Sequence, residues 1–523
     1  MLPDKNGFMK TGPLVSILIP TYNRTGYLPV AIRSALSQDY PNIEVIVMRD
    51  GGWKINDVIE SFSDPRLVFI DRDENRGKPY TLNYGLGLAK GKYICYLDDD
   101  DILYPNHVGT LLDILETKTD CLAAYSDLYR VYCRNSADGE RFVLSKVLEI
   151  SRDFDRAMML HYNHVLHISM MHRKDLLEKT GLYNESLNIL IDWDLFRRMV
   201  FFTDFYHAKT ITGEFYSPIK DSDQISVKNR RDPQEYLRNV MTIRTARPAK
   251  PWSKIKDLAI ILDAAELTQA VGQKIKAIWE TTSYPNTIYL LLSGRDIGRL
   301  NIDLPNVVPV EVSGTGSQRR IQSALAKCDA EYIAVVPGEF AISEFWVEDC
   351  LNAIDKKPMS NEVFEIEGSD DNLWAGIFEE QTLKHLVSEN RQGSLLDNVK
   401  KAGLNIRKVQ PDEIAFQYDQ FLSRARILMQ QKNFAKAAEL FEYIAKNYGN
   451  ELWISILAAQ AHLKNGNLQR AREISEQLNR VFPSVESLIT AAQAEKGFKN
   501  YGRAIELFGN AIEIIEGKQL IWA

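Results

Sequence analysis

The chain predicts an α/β fold, repeated once, followed by an all-α C-terminus. Three observations carry that prediction. Short apolar runs alternate with helix-spaced segments from Val15 to Leu97. A weaker version of the alternation begins near Lys254. Further on, a motif returns at Asn433, Asn467 and Asn500, at intervals of 34 and 33 residues. With 523 residues, the chain exceeds what one hydrophobic core holds, so several domains are expected.

The first segment reads in order. Val15–Ile19 is an apolar run stopped by Pro20, which predicts a buried strand. Leu28, Ile32, Ala35 and Leu36 recur at helical spacing. Ile43–Met48 is a second strand, ended by Arg49-Asp50-Gly51-Gly52, and Leu67–Ile70 a third. Leu82, Leu86 and Ala89 mark a helix, with Gly91 as its expected stop. Tyr93–Leu97 is the fourth strand, and it runs directly into Asp98, Asp99, Asp100 and Asp101. Such alternation implies a mostly parallel sheet covered on both faces.

In sheets of that kind, ligands sit beyond the C-terminal ends of the strands. Thr21, Tyr22 and Asn23 follow the first strand and Asp50 the second. Asp73, Asn75, Arg76, Gly77 and Lys78 follow the third, and the aspartates follow the fourth. One rim therefore carries an aromatic ring, cations, a lone carboxylate and a carboxylate cluster. That set suits a nucleoside diphosphate with Mg2+ or Mn2+, hard cations held by oxygen ligands. The competing reading is a solvated acidic turn capping a helix at Ile102.

Composition narrows the class. A net charge of −7 without a long basic run argues against nucleic-acid binding. No segment has the length or apolarity of a membrane span, and MLPDKNGFMKTG lacks a signal-peptide core. The five cysteines are scattered without CxxC spacing, which predicts no disulfide framework or zinc site and a cytoplasmic location, with contact at the inner membrane face as a variant.

Four motifs now stand in order: VSILIPTYNR at 15–24, RDGG at 49–52, NRGKPYTLNYGLGLAKGKYICYLDDDD at 75–101, and LYNESLNILIDWDLFRRM at 182–199. Together they resemble an inverting family 2 glycosyltransferase of GT-A fold, in a domain spanning 1–245. The resemblance implies the site. Tyr22 stacks on the base, and Asp50 accepts its imide hydrogen, which favours uracil. Pro20, Asn23, Arg24, Arg76, Lys78, Asn83, Asp98 and Asp99 complete the nucleotide-sugar site. Asp98 and Asp100 hold Mn2+ or Mg2+, while Asp101 orders the turn. Asp192 is the general base, with Asp194 its rival. Trp193, Asp194 and His167 lie on the acceptor side.

His161, His164, His167 and His172 are half of the eight histidines. The alternation from Val165 to Met171 predicts a strand rather than a metal site. Lys228, Arg230 and Arg231 are expected in a lid over the donor.

Residues 250–412 are read as a degenerate GT-A-like copy without catalysis. AIWETTSYPNTIYLLLSG (277–294) echoes SALSQDYPNIEVIVMRDG (34–51), and Pro337, Gly338, Glu339 and Phe340 replace the four aspartates. Residues 415–523 resemble tetratricopeptide repeats, with helices opening at Asn433, Asn467 and Asn500. They offer a surface for a protein partner or for self-association. The expected activity is metal-dependent transfer from a nucleotide sugar, foremost UDP-linked, to a saccharide or protein hydroxyl. The alternatives are a protein or peptide glycosyltransferase, a non-catalytic scaffold working through the repeats, and a nucleotidyltransferase.

Overall fold

The computed structural model of the chain describes residues 12–135, 141–148, 151–218, 233–264, 266–297, 306–312, 316–343, 345–370, 373–388, 393–410, 413–415, 417–447, 452–481 and 483–515. Val15–Thr21 (β1) is buried at every position, as an apolar run at the centre of a covered sheet must be. There follow Leu28–Leu36 (α1), Ile43–Asp50 (β2), Asn56–Glu60 (α2), Leu67–Arg72 (β3), Lys78–Leu88 (α3) and Tyr93–Tyr96 (β4). Next come Ile102–Leu103 (β5), His107–Thr117 (α4), Ala123–Asn135 (β6), Arg141–Val147 (β7) and Arg156–His161 (α5). Met170–Arg173 (β8), Leu176–Thr180 (α6), Ile191–Met199 (α7), Phe205–Pro218 (β9) and Pro233–Thr245 (α8) complete the first unit.

These strands form a nine-stranded sheet in the order β3-β2-β1-β4-β8-β6-β9-β5, with β7 paired to β6. The first four strands are parallel as expected, and β8 then runs antiparallel to both β4 and β6. One apolar layer packs Leu18, Ile46 and Ile94 under α3 and α7. The other packs Ile17, Val45 and Cys95 under α1 and α4.

Two expected stops fall elsewhere. Pro20 lies inside β1, opposite Met48. Pairing with β4 ends at Leu18, so the missing N–H of Pro20 points where that neighbour has already turned away. Helix α3 is capped by Ala89 rather than Gly91. Gly91 serves close approach instead: a Cβ there would sit 2.6 Å from the Ser16 backbone nitrogen. The expected strand at 165–171 is also corrected. His167–Ser169 is a 3-10 turn, and the strand is Met170–Arg173.

The second unit contains Leu258–Asp263 (β10), Gln269–Thr281 (α9), Asn286–Leu292 (β11), Val307–Glu311 (β12), Ser317–Leu325 (α10), Tyr332–Pro337 (β13), Trp346–Lys356 (α11), Glu362–Glu365 (β14), Gly376–Glu379 (β15) and Asn405–Arg407 (β16). Its order is β12-β11-β10-β13-β15-β14-β16. The first five strands repeat the order of β3-β2-β1-β4-β8 and share their directions. The two Tyr-Pro-Asn triplets do the same work in both sheets. Tyr40 donates to Pro13 O at 2.7 Å and Tyr284 to Lys256 O at 3.0 Å, each carbonyl standing two residues before the unit's first strand.

The units meet around Ser283 and Tyr284. Arg197, fully buried on α7, donates to the carbonyls of Leu160, Arg244, Ala246 and Ser283. From α11, Glu348 Oε1 accepts from Ser283 N at 2.5 Å and Tyr284 N at 2.8 Å, while Oε2 has no partner. Burial pushes the Glu348 carboxyl up to about 7. The fold therefore holds this proton more tightly than the unfolded chain does. Stability is lost as pH rises from about 4.5 to about 7, by at most roughly 3 kcal/mol. Glu348→Gln, which mimics the protonated acid, is expected to flatten that slope in thermal unfolding scans between pH 5 and 8. An offset from wild type that is equal at every pH would refute the assignment.

Six helices follow among the described residues: Gln417–Gln430 (α12), Phe434–Asn447 (α13), Leu452–Lys464 (α14), Leu468–Val481 (α15), Val485–Gly497 (α16) and Tyr501–Ile515 (α17). Buried alanines such as Ala437, Ala458, Ala471, Ala491 and Ala504 let neighbours approach closely. The three repeat asparagines mark one turn used three times. Lys432, Gly466 and Lys499 take left-handed φ of 60, 79 and 62°. The following asparagine N–H then bonds back to Leu428 O, His462 O and Glu495 O, respectively. This is a helix C-terminal motif in which Lys twice stands where glycine is usual.

Candidate active site

The C-terminal ends of β1, β2 and β4 form the rim predicted from the sequence. Asn23, at φ 54°, accepts from Trp53 N at 2.8 Å and so ties the first two loops together. Gly51 and Gly52 take φ of 72 and 73°, and a side chain at Gly52 would collide with Asn23. Tyr22 stands beside them, 47% exposed, with its ring open to a ligand.

Asp50 is buried, and its oxygens are engaged. Oδ1 accepts from Arg76 N at 3.0 Å and Arg72 at 3.2 Å, and Oδ2 from Gly77 N at 2.8 Å. Its visible work is to shape the loop that opens α3. Within that loop the Arg76 guanidinium lies 3.7 Å from the ring centre of Tyr80.

The four aspartates have four environments. Asp98 accepts from Lys78 Nζ at 2.5 Å. Burial would raise its pKa, but Lys78, His167 and Arg24 hold it below the usual carboxylate range. Asp99 is buried and accepts from Thr21 at 2.7 Å; burial and Asp100 push it up to about 7. Asp100 Oδ2 accepts from Arg24, and Arg141 lies 3.9 Å from the same oxygen. Asp101 is buried and accepts from Tyr216 N at 2.8 Å; burial, Asp100 and Asp98 raise it well above the usual range. Carboxylate oxygens of Asp98, Asp100 and Asp101 lie within 4.8 Å of one another, close enough that they could hold a metal ion. An all-oxygen set of this size fits a hard divalent cation. Burial, and then the neighbouring aspartates, raise Asp99 and Asp101.

Asp192 is the second residue of α7, after a left-handed turn at Leu190 with φ 57°. Its Oδ2 accepts from Asn163 at 2.8 Å. Burial raises its pKa, while Lys78 lowers it and Asp98 raises it. Reciprocally, burial would lower Lys78, but Asp98, Asp192 and Asp100 hold it above its ordinary value. Lys78 thus stands in the field of both the aspartate cluster and the Ile191-Asp192-Trp193-Asp194 motif, nearly 100 residues apart in sequence.

Several expected ligand residues have partners within the fold. Asn83 holds the 183–185 loop, donating to Tyr183 O and Glu185 and accepting from Tyr183 N. Asp99 faces Thr21, and Pro20 lies within β1. Trp193 is buried and donates to Met159 O at 2.8 Å. Asp194 is 1% exposed and paired with Arg198 at 2.6 Å. His167 is buried, stacked 4.4 Å from Tyr96 and bonded to the Tyr183 hydroxyl at 2.8 Å. The four clustered histidines do not converge: His161 meets Ser283, His164 packs on Phe154, and His172 bonds Tyr96. The expected lid, with Lys228, Arg230 and Arg231, lies outside the described residues.

Arg141 is the site residue that sequence reading misses. It comes from β7, donates to Asp100 O, and sits 3.7 and 4.1 Å from the rings of Tyr27 and Tyr216. No helix among the described residues is long and apolar enough to cross a membrane.

Comparison with known proteins finds similarity over much of the first unit and over the repeats. Residues 16–177 match the family model for glycosyl transferase family 2, and residues 428–495 match that for the tetratricopeptide repeat. An uncharacterized glycosyltransferase of Rickettsia typhi is 36% identical over 191 residues, 35% of this chain and 57% of that protein. The chondroitin synthase of Pasteurella multocida is 30% identical over 238 residues, 44% of this chain and 23% of that protein. The chain thus spans little more than half of the first curated relatives it matches. Among solved structures, S. aureus TarS 1–349 in complex with UDP-GlcNAc aligns at 15% identity and a TM-score of 0.36, covering 44% of this chain and 65% of that one.

Proposed function

We propose that this chain, with a glycosyltransferase family 2 domain at its N-terminal end, moves a sugar from a nucleotide-sugar donor to an acceptor hydroxyl with inversion. The observation that carries the reading is the placement of Lys78 between Asp98 and Asp192. It brings two separate carboxylate groups into the field of one lysine. Inversion needs such a pair, one group at the leaving diphosphate and one at the attacking hydroxyl.

Asp98 and Asp100 would hold a divalent cation, Mn2+ or Mg2+, which when bound offsets the charge that develops on the departing phosphate. Arg24 and Lys78 supply further positive charge at the same end. Tyr22 offers its open ring to the base, and Asp50 keeps the 76–77 loop in place beneath it. A uracil base, hence a UDP-sugar, rests on the resemblance of these residues to the family pattern. Asp192 takes the proton of the acceptor hydroxyl. Its raised pKa makes it a stronger base than an ordinary carboxylate, and Asn163 fixes its orientation.

The second sheet repeats the first in strand order, but Pro337-Gly338-Glu339-Phe340 stands where the aspartates would be. It supports a non-catalytic copy spanning 250–412. The repeats favour a second reading of the acceptor, a protein or peptide hydroxyl in place of a saccharide, because stacked repeats present an extended peptide-sized surface.

Donor hydrolysis without acceptor tests the reading. UDP-, GDP-, dTDP- and CMP-sugars are incubated with the full chain and Mn2+ or Mg2+. Slow, cation-dependent release of one nucleotide is expected. No release, together with no cation-dependent nucleotide binding by calorimetry, would overturn the assignment.

A further inference from the structure

A cavity of about 630 Å³ lies at the junction of the two α/β units, away from the aspartates. Its first-unit wall includes Phe205 and Tyr206, which open β9 and pair with Ala123 and Ala124 at the start of β6. Ala123 is level with His172, and His172 with Ile94, four residues before Asp98. Four residues along the sheet and three strands across it separate the cavity from the cluster by about 20 Å. The volume is in the range of small-molecule sites.

The second-unit wall is one stripe of α11: Glu348, Leu351, Asn352 and Asp355, at i, i+3, i+4 and i+7. A helix face buried only for packing would be apolar along that stripe. Here three of its four residues are polar. Arg156 bridges the gap, pairing with Asp204 at 2.7 Å on one side and Asp355 at 3.7 Å on the other. Deeper in the wall, Glu348 is 2% exposed; its Oε1 accepts from two N–H groups, so the proton it holds sits on Oε2, a donor with no partner. Tyr206, 40% exposed, and Tyr284 add aromatic surface.

The lining thus combines apolar rings with planar groups, of which Arg156 donates and Asp204 and Asp355 accept. That combination suits a polyhydroxylated molecule, whose C–H faces lie on rings and whose hydroxyls both donate and accept. Four carboxylates (Asp153, Asp155, Asp204, Asp355) face three cations (Arg156, Lys209, Lys254) and His207, with Glu348 holding its proton, so no surplus of positive charge is left for an anionic ligand. We propose that this cavity is a second saccharide site that holds a neutral stretch of the acceptor glycan several sugars away from the reacting hydroxyl. The proposal rests on the transferase reading for the word acceptor, but not for the binding itself.

The test is saturation-transfer difference NMR on the full chain with maltotetraose, cellotetraose and chitotetraose at millimolar concentration, using wild type, Tyr206→Ala and Asn352→Ala. Calorimetric titration of UDP with Mn2+ runs on the same samples. Transfer to at least one tetrasaccharide is expected, weakened tenfold or more in either variant, with nucleotide binding unchanged. Absence of transfer to all three, or equal transfer in both variants, would overturn the site. Saccharide binding without nucleotide binding would uphold the site and remove the transferase reading, so the two failures are separable.

Discussion

Asp192→Asn is expected to lower sugar transfer by roughly 10²- to 10⁴-fold while leaving nucleotide affinity within a few-fold of wild type. Asn keeps the size of Asp192 and can still accept from Asn163, so the α7 turn survives. It cannot take a proton, and the loss therefore falls on kcat. Asp194→Asn makes the contrast. Asp194 is buried against Arg198, which also donates to Thr180 O and Leu182 O. Removing that charge leaves a buried guanidinium without its carboxylate, a loss of roughly 3–5 kcal/mol. It should appear as a lower thermal midpoint, not as a lower rate per folded molecule. Steady-state kinetics and thermal unfolding on both variants decide the roles. A full-rate Asp192→Asn enzyme would sink the assignment of the base.

The parallel strands were legible because a strand buried on both faces reads as a mostly apolar run, and Val15–Ile19, Ile43–Met48 and Tyr93–Leu97 are such runs, broken only by Ser16 and Glu44, which pair with each other. The long antiparallel strands were not. β9 alternates buried and exposed positions irregularly over 14 residues, and its register with β6 shifts. No simple period survives in such a strand. The site divides in the same way. Motif order brought Lys78, Asp98 and Asp192 into one proposed site. It could not say that Asn83 turns to the 183–185 loop or that Trp193 turns to Met159, since a polar side chain beside a motif points wherever tertiary contacts satisfy it. Arg141 was invisible because its partners, Tyr27, Asp100 and Tyr216, are brought together only by β7 and β9.

Asp100→Ala is expected to abolish cation-dependent donor binding, weakening it by on the order of 10²- to 10³-fold, the scale at which one preorganised electrostatic group is lost from a buried site. The same variant should lose nucleotide release altogether. Asp101→Asn tests whether charge or shape is responsible. Asp101 is already held toward its protonated form by burial and by Asp100 and Asp98, and its Oδ1 accepts from Tyr216 N. Asn preserves that bond and approximates the neutral acid, so its effect should be far smaller. The pH dependence follows with the same sign. Asp99, pushed up to about 7, holds a proton at lower pH, and a dication brought beside it favours release of that proton. Cation affinity should therefore climb as pH rises toward about 7 and level off above it, with proton release visible by calorimetry in buffers of different ionisation enthalpy. Affinity independent of pH from 5 to 8 would mean that the cation binds elsewhere, and the Asp98–Asp100 assignment would fall with it.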